Sequence, residues 1–79
     1  METIYVYAIK NLARSYIYVG MSNNVERRLK QHNNGENRST KPYAPFVLIL
    51  VEEYPSRSAA RQREKFLNAG SGKKYLKSL

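Results

Sequence analysis

Thr3-Ile4-Tyr5-Val6-Tyr7-Ala8-Ile9-Lys10 and, after a polar break, Tyr16-Ile17-Tyr18-Val19-Gly20 are the stretches that decide the fold. The first is β-branched or aromatic at both alternating positions, so it reads as a strand buried on both sides. Asn11 to Ser15 is polar and turn-like. A connection this short predicts an antiparallel hairpin with the second stretch, which Gly20 ends. Tyr7 and Tyr18 can then project from one face of the sheet.

Outward from the hairpin, Asn23 with Glu26 three residues on has the pattern of an N-cap and capping box, predicting a helix over about 24–33. Val25, Leu29 and His32 follow helical spacing and define its inward face. Arg28 and His32, four apart, lie one above the other. At 100° per residue Arg28 sits about 60° from Val25, at the edge of the buried stripe, whereas Arg27 points well away. Asn33-Asn34-Gly35 stops the helix, and residues 34–45 form a polar loop holding Arg38, Lys41, Pro42, Tyr43 and Pro45. Phe46 to Val51 is a nearly unbroken apolar run, the mark of a central strand, and Pro55 closes it.

Ser56 caps a second helix reaching about Ala69, with Gly70 as its C-terminal stop. Ala59, Ala60, Phe66 and Leu67 form its apolar side, with Arg63 near the middle of that sector, a position periodicity does not explain. Residues 72–79 read as a last short helix, with Tyr75, Leu76 and Leu79 at helical spacing. The order β-β-α-β-α-α predicts an α+β fold: a small three-stranded, mainly antiparallel sheet flanked by three helices, one domain over residues 1–79.

The whole chain limits what this domain can do. A protein of 79 residues buries only about 60% of its unfolded surface, so one core must hold it. Apolar residues make up 42% and charged residues 25%, which is globular rather than disordered composition. No cysteine is present, so disulfides and thiolate metal sites are excluded. The start, Met1-Glu2-Thr3, has no basic and apolar leader pattern, and no apolar run approaches the roughly 20 residues that span a bilayer. The expectation is a cytoplasmic protein without membrane attachment. Fourteen Lys and Arg against 6 Asp and Glu give a net charge of +8, which points to a nucleic-acid partner.

Tyr5-Val6-Tyr7, then Tyr18-Val19-Gly20, then Arg28 ten residues after Tyr18, and later Glu64 within Arg61-Gln62-Arg63-Glu64-Lys65, resemble the signature of the GIY-YIG nuclease family. That family includes homing endonucleases, some restriction enzymes and the incision subunit of bacterial nucleotide-excision repair. The resemblance spans residues 4 to about 68 and is carried by the ordered combination, with small single-domain members the nearest in shape. Some members have a histidine one turn after the arginine, as His32 is here. The first triplet lacks its glycine, and an asparagine that larger members carry about a dozen residues beyond the glutamate is Leu76 in this chain.

The resemblance implies a metal-dependent endonuclease acting on phosphodiester bonds, in DNA rather than RNA, structure-preferring or nonspecific, as in repair or recombination. Tyr7 would be the general base, Tyr18 would orient water or phosphate, and His32 would support Tyr7 or relay its proton. A tyrosine near its free pKa of about 10 is a poor base at neutral pH and needs a positive neighbour. Arg28 offers a planar fork of donors to phosphate. Glu64 would hold one divalent ion, Mg²⁺ or Mn²⁺, which a single carboxylate with waters suits.

Arg27, Arg38, Lys41, Tyr43, Lys73 and Lys74 read as nucleic-acid-contacting surface, cations neutralising phosphates and the aromatic stacking on bases. A partner protein could supply targeting. The second reading is a binding module of the same fold with weak or no activity, which the missing asparagine favours. His32 is also open to a plainer role, as a cation at a helix C-terminus stabilised by the dipole. Glu64 is equally open to pairing with Arg61 or Lys65 on a solvated helix face.

Overall fold

Alternation along β1 (Ile4–Asn11) organises the molecule, which the computed structural model describes over residues 3–79. Thr3 is the only residue of the opening triplet within that range; Met1 and Glu2 lie outside it. β1 pairs antiparallel with β2 (Ile17–Ser22) on one side and with β3 (Phe46–Tyr54) on the other, giving the order β2-β1-β3. One set of β1 side chains, Ile4, Val6 and Ala8, packs with Val19 of β2 under α2 (Arg57–Asn68) and α3 (Gly70–Lys77), through Ala60, Leu67 and Leu76. The alternate set, Tyr7 and Ile9, packs with Phe46, Tyr18 and Tyr16 under α1 (Val25–Asn33), through Val25 and Leu29. The predicted α+β fold and its element order are therefore those observed.

Five local expectations need correction. The apolar run from Phe46 to Val51 forms an edge strand, because β1 occupies the middle. Its apolar density serves two clusters in turn, Phe46 on one face and Ile49 with Leu50 on the other, across a register shift opposite Ala8 and Ile9. Val47, Leu48 and Val51 accordingly stay 38%, 40% and 45% exposed. β2 runs past Gly20 to Ser22, since Gly20 pairs with Tyr7 inside the ladder.

The N-cap of α1 is Asn24, whose side-chain oxygen accepts the Arg27 N–H at 3.0 Å. Asn23 instead accepts from the Arg27 guanidinium at 3.3 Å, so Glu26 falls one position short of the capping-box site and pairs weakly with Lys30 at 4.0 Å. Gly70 opens α3 rather than stopping α2, because the extended backbone of Ala69 separates the two helices.

Ser56 caps α2 as expected, accepting the Ala59 N–H at 3.2 Å. Arg63, out of place by periodicity, makes a two-point ion pair with Glu52 of β3 at 2.8 and 3.0 Å. The Tyr54 hydroxyl donates to the same carboxylate at 2.9 Å. The Arg63 guanidinium beside Glu52 holds that carboxyl below its ordinary range. Phe66, expected in the core, is 44% exposed, with the Arg63 guanidinium 5.2 Å from its ring centre. At Gly72 a Cβ would stand 2.1 Å from the Phe66 carbonyl oxygen and 2.4 Å from Leu67 Cα, so only glycine lets α3 fold back onto the end of α2. Among the described residues no helix is long and apolar enough to cross a membrane.

Candidate active site

β1 and β2 bring Tyr7 and Tyr18 to the α1 face by register: Tyr7 lies opposite Gly20 and Tyr18 opposite Ile9, so the tyrosines are diagonal neighbours on one side of the pleat. Their ring centres are 6.2 Å apart. Gly20 is what makes room for them. A Cβ there would come within 2.8 Å of the Tyr7 hydroxyl and 2.9 Å of Tyr18 Cε1.

α1 delivers Arg28 and His32 from above. His32 is fully buried, 4.8 Å from the Tyr18 ring centre and edge-on to Phe46 at 6.0 Å. Its Nε2 is 3.0 Å from the Tyr7 hydroxyl, and its Nδ1 is 2.9 Å from the Thr40 hydroxyl. Burial, and then the charge of Arg28, push its pKa down. The lowered pKa favours a neutral imidazole at neutral pH over the dipole-stabilised cation considered from sequence.

Tyr7, 1% exposed, is held as a protonated phenol chiefly by burial, which raises its pKa. The nearby Arg28 guanidinium pulls the other way, while Tyr18 and, more weakly, Glu64 add to the rise. Arg28 is itself raised above its ordinary pKa by the Tyr7 hydroxyl, with a smaller contribution from Tyr18. Gln31, one turn on, accepts from the guanidinium at 2.6 Å and fixes its direction.

Of the five residues picked from sequence, Tyr7, Tyr18 and His32 are in direct contact, while Arg28 of α1 and, more weakly, the half-buried Glu64 of α2 act on the Tyr7 phenol through their charge. Glu64 offers one carboxylate, and among the described residues no group of three or more His, Cys, Asp or Glu gathers as a metal cage.

The surface set divides. Arg38 lines an open concavity of about 420 Å³ with Arg28, Gln31, Glu36 and Asn37, so it borders the site directly. Lys41 stands in the exposed 3-10 turn of the same loop. Tyr43 lies flat on Tyr16 at 3.9 Å and 2°, and Asn11 donates to its carbonyl, so one ring face is already occupied. Arg27 is directed to Asn23 on the outer side of α1. Lys73 and Lys74 ride on α3, across the sheet from the tyrosines, and Lys73 donates to the Ile17 carbonyl at 2.9 Å.

Thr40 and Gln31 are site residues that periodicity missed. Gln31 had a usable signal, three residues after Arg28 on the same helix. Thr40 sits in a loop with no periodicity to place it.

A small sheet that sets two strand tyrosines beneath a helical arginine and histidine, with a glutamate arriving from a second helix, defines a GIY-YIG-type domain. A model of the GIY-YIG catalytic domain matches residues 3–76, and the chain belongs to that family, whose members are generally nucleases that act on nucleic acid with a divalent metal. A UPF0213 protein of Staphylococcus haemolyticus is 37% identical over 100% of this chain and 96% of its own length. A UPF0213 protein of Nitratidesulfovibrio vulgaris is 39% identical over 80% of this chain, which spans 57% of that relative. The solution structure of a UPF0213 protein from Bacillus halodurans superposes with a TM-score of 0.56 at 28% identity, covering 96% of this chain and 83% of that one.

Proposed function

We propose that this protein is a metal-dependent endonuclease that hydrolyses phosphodiester bonds in DNA, selecting by structure or not at all, in the manner useful to repair or recombination. One observation carries the reading: the buried Tyr7 hydroxyl is hydrogen-bonded to His32 Nε2 at 3.0 Å, with the Arg28 charge near enough to act on both groups. A buried tyrosine that only packs needs one hydrogen-bond partner of any kind, not a histidine nitrogen with a cation beside it.

The chemistry follows from that arrangement. Tyr18 and Arg28 hold the phosphate and the attacking water. As the water oxygen bonds to phosphorus, its proton passes to Tyr7 Oη and the original phenol proton passes to His32 Nε2. Tyr7 thus acts as a base without first becoming a free phenolate, which its raised pKa disfavours. The bond to the leaving oxygen breaks, and that alkoxide takes a proton from solvent. Arg28 would neutralise the charge that grows on the nonbridging oxygens. Glu64 would hold a Mg²⁺ or Mn²⁺ ion that keeps most of its waters, supplying further charge neutralisation; a hard ion fits a lone carboxylate. The +8 charge and the Arg38 concavity favour a nucleic-acid strand beside the site.

The test is incubation with nicked, branched, single-stranded and RNA substrates in Mg²⁺ or Mn²⁺, alongside Glu64→Ala. Cleavage by the wild type that is lost in the variant supports the reading. Equal cleavage by both overturns the role of Glu64. The second reading, a binding module, is favoured by Leu76, which stands where larger members have asparagine and is 1% exposed within the apolar core. Salt-sensitive binding with no cleavage in either metal would establish it.

A further inference from the structure

We infer that Thr40 is a positioning residue that locks His32 in the Nδ1–H tautomer, leaving the Nε2 lone pair facing the Tyr7 hydroxyl. The assignment comes from donor and acceptor bookkeeping along one buried chain. Thr40 and His32 are both fully buried, and their Oγ1 and Nδ1 atoms are 2.9 Å apart. A neutral imidazole has one donor and one acceptor nitrogen, so heavy-atom positions alone allow two directions.

The two ends of the chain break the tie. At the Tyr7 end the buried phenol proton needs an acceptor, and among the described residues the hydrogen-bond partner of that hydroxyl is His32 Nε2 at 3.0 Å. Tyr7 therefore donates to His32 Nε2. At the other end the Thr40 hydroxyl lies 3.4 Å from the Asn37 carbonyl, and a carbonyl only accepts. Thr40 therefore donates to Asn37 and accepts from His32 Nδ1–H.

Both ends impose the same polarity: Tyr7 to His32, to Thr40, to the Asn37 carbonyl. The reverse direction would aim an Nε2–H at the phenol oxygen and strand the phenol proton. Reaching the same nitrogen with the same ring is not enough for proton transfer; the lone pair must face the phenol. Thr40 supplies that orientation from eight residues beyond His32.

This inference rests on the reading of Tyr7 as the group that takes a proton from water, but its first test does not need catalysis. Histidine-selective ¹⁵N labelling of the full chain, which has one histidine, reads the tautomer from the two ring-nitrogen shifts at neutral pH. The wild type should show a protonated Nδ1 and a bare Nε2, Thr40→Ser should keep that state, and Thr40→Val should lose it. A wild-type ring protonated on Nε2, or an unchanged tautomer in folded Thr40→Val, overturns the inference. Should Thr40→Val fail to fold, the wild-type spectrum still decides.

The kinetic arm separates positioning from support. If the chain cleaves nucleic acid, Thr40→Val should lower kcat about tenfold to a hundredfold at unchanged KM, with Thr40→Ser restoring it. The acid limb of its pH profile should also shift, since Tyr7 of β1 and Tyr18 of β2 contact His32 and the charge of Arg28 of α1 acts on it. An unchanged kcat and pH profile in folded Thr40→Val overturns the inference, while a tautomer result as expected in a chain with no cleavage keeps the lock and removes only the nuclease reading.

Discussion

The two faces of one strand have been put to different uses. Toward α2 and α3, β1 presents Ile4, Val6 and Ala8 to an apolar cluster closed by Val19, Ala60, Leu67 and Leu76. Toward α1 it presents Tyr7 to a buried set that includes His32 and Thr40, every polar atom of which has a partner. The first face is stabilised by area removed from water. The second accepts the cost of burying polar groups and recovers it only through complete hydrogen bonding. In a domain this small the stability of the first is what permits the second, so substitutions should separate cleanly: chemistry on one face, folding on the other.

The sharpest test of that division is Arg28→Ala, which should reduce cleavage about a thousandfold, as removal of a donor at developing charge does. Its thermal midpoint should stay near that of the wild type, because the guanidinium is not part of either apolar cluster. A collapse of the fold would break the comparison. The two glycines extend it. Gly72→Ala should cost about 3 kcal/mol in denaturant unfolding, because backbone must move to admit the methyl, with residual folded protein still active. Gly20→Ala meets side-chain ends rather than backbone; it should displace the two tyrosine rings and slow cleavage about tenfold to a hundredfold with a smaller stability loss. Reversed outcomes would exchange the roles of the faces.

Titration near neutrality sharpens the contrast. The depressed pKa of His32 means that the unfolded chain binds its proton more readily than the folded one. Stability should therefore be full above about pH 6.5 and fall as acid approaches the folded-state value below it. His32→Gln, which titrates in neither state, should flatten that slope in urea unfolding measured from pH 7 to pH 5. The smallest effect should come from Arg63→Ala, worth about 1 kcal/mol, since the pair with Glu52 is partly solvated.

Most of this division was legible in the residues. The apolar content of β1 on both alternating positions specified a doubly covered strand, and helical spacing put Arg28 and His32 together above it. Other features were not, for identifiable reasons. An apolar run such as Phe46–Val51 has the same pattern whether a neighbour sits on one side or two, so the edge position of β3 could not be read from it. Adjacent Asn23 and Asn24 are equal as caps until the chain's entry is known. Arg63 looked misplaced because its partner, Glu52, comes from another element. Thr40 and Gly72 act through contacts that no periodicity encodes, a loop hydroxyl meeting a helix and a close approach of two backbones. Glu64 was legible by motif order alone, because its side chain makes no hydrogen bond or ion pair with the tyrosines, Arg28 or His32 among the described residues.

The central claim is that the Tyr7 hydroxyl, and not merely its ring, does chemistry. Single-turnover cleavage of a branched DNA in Mg²⁺ by the wild type and by Tyr7→Phe tests it directly, with thermal midpoints measured in parallel. The account predicts cleavage by the wild type and a rate about a hundredfold lower in Tyr7→Phe, with both proteins folded. Equal rates in the two folded proteins would contradict it.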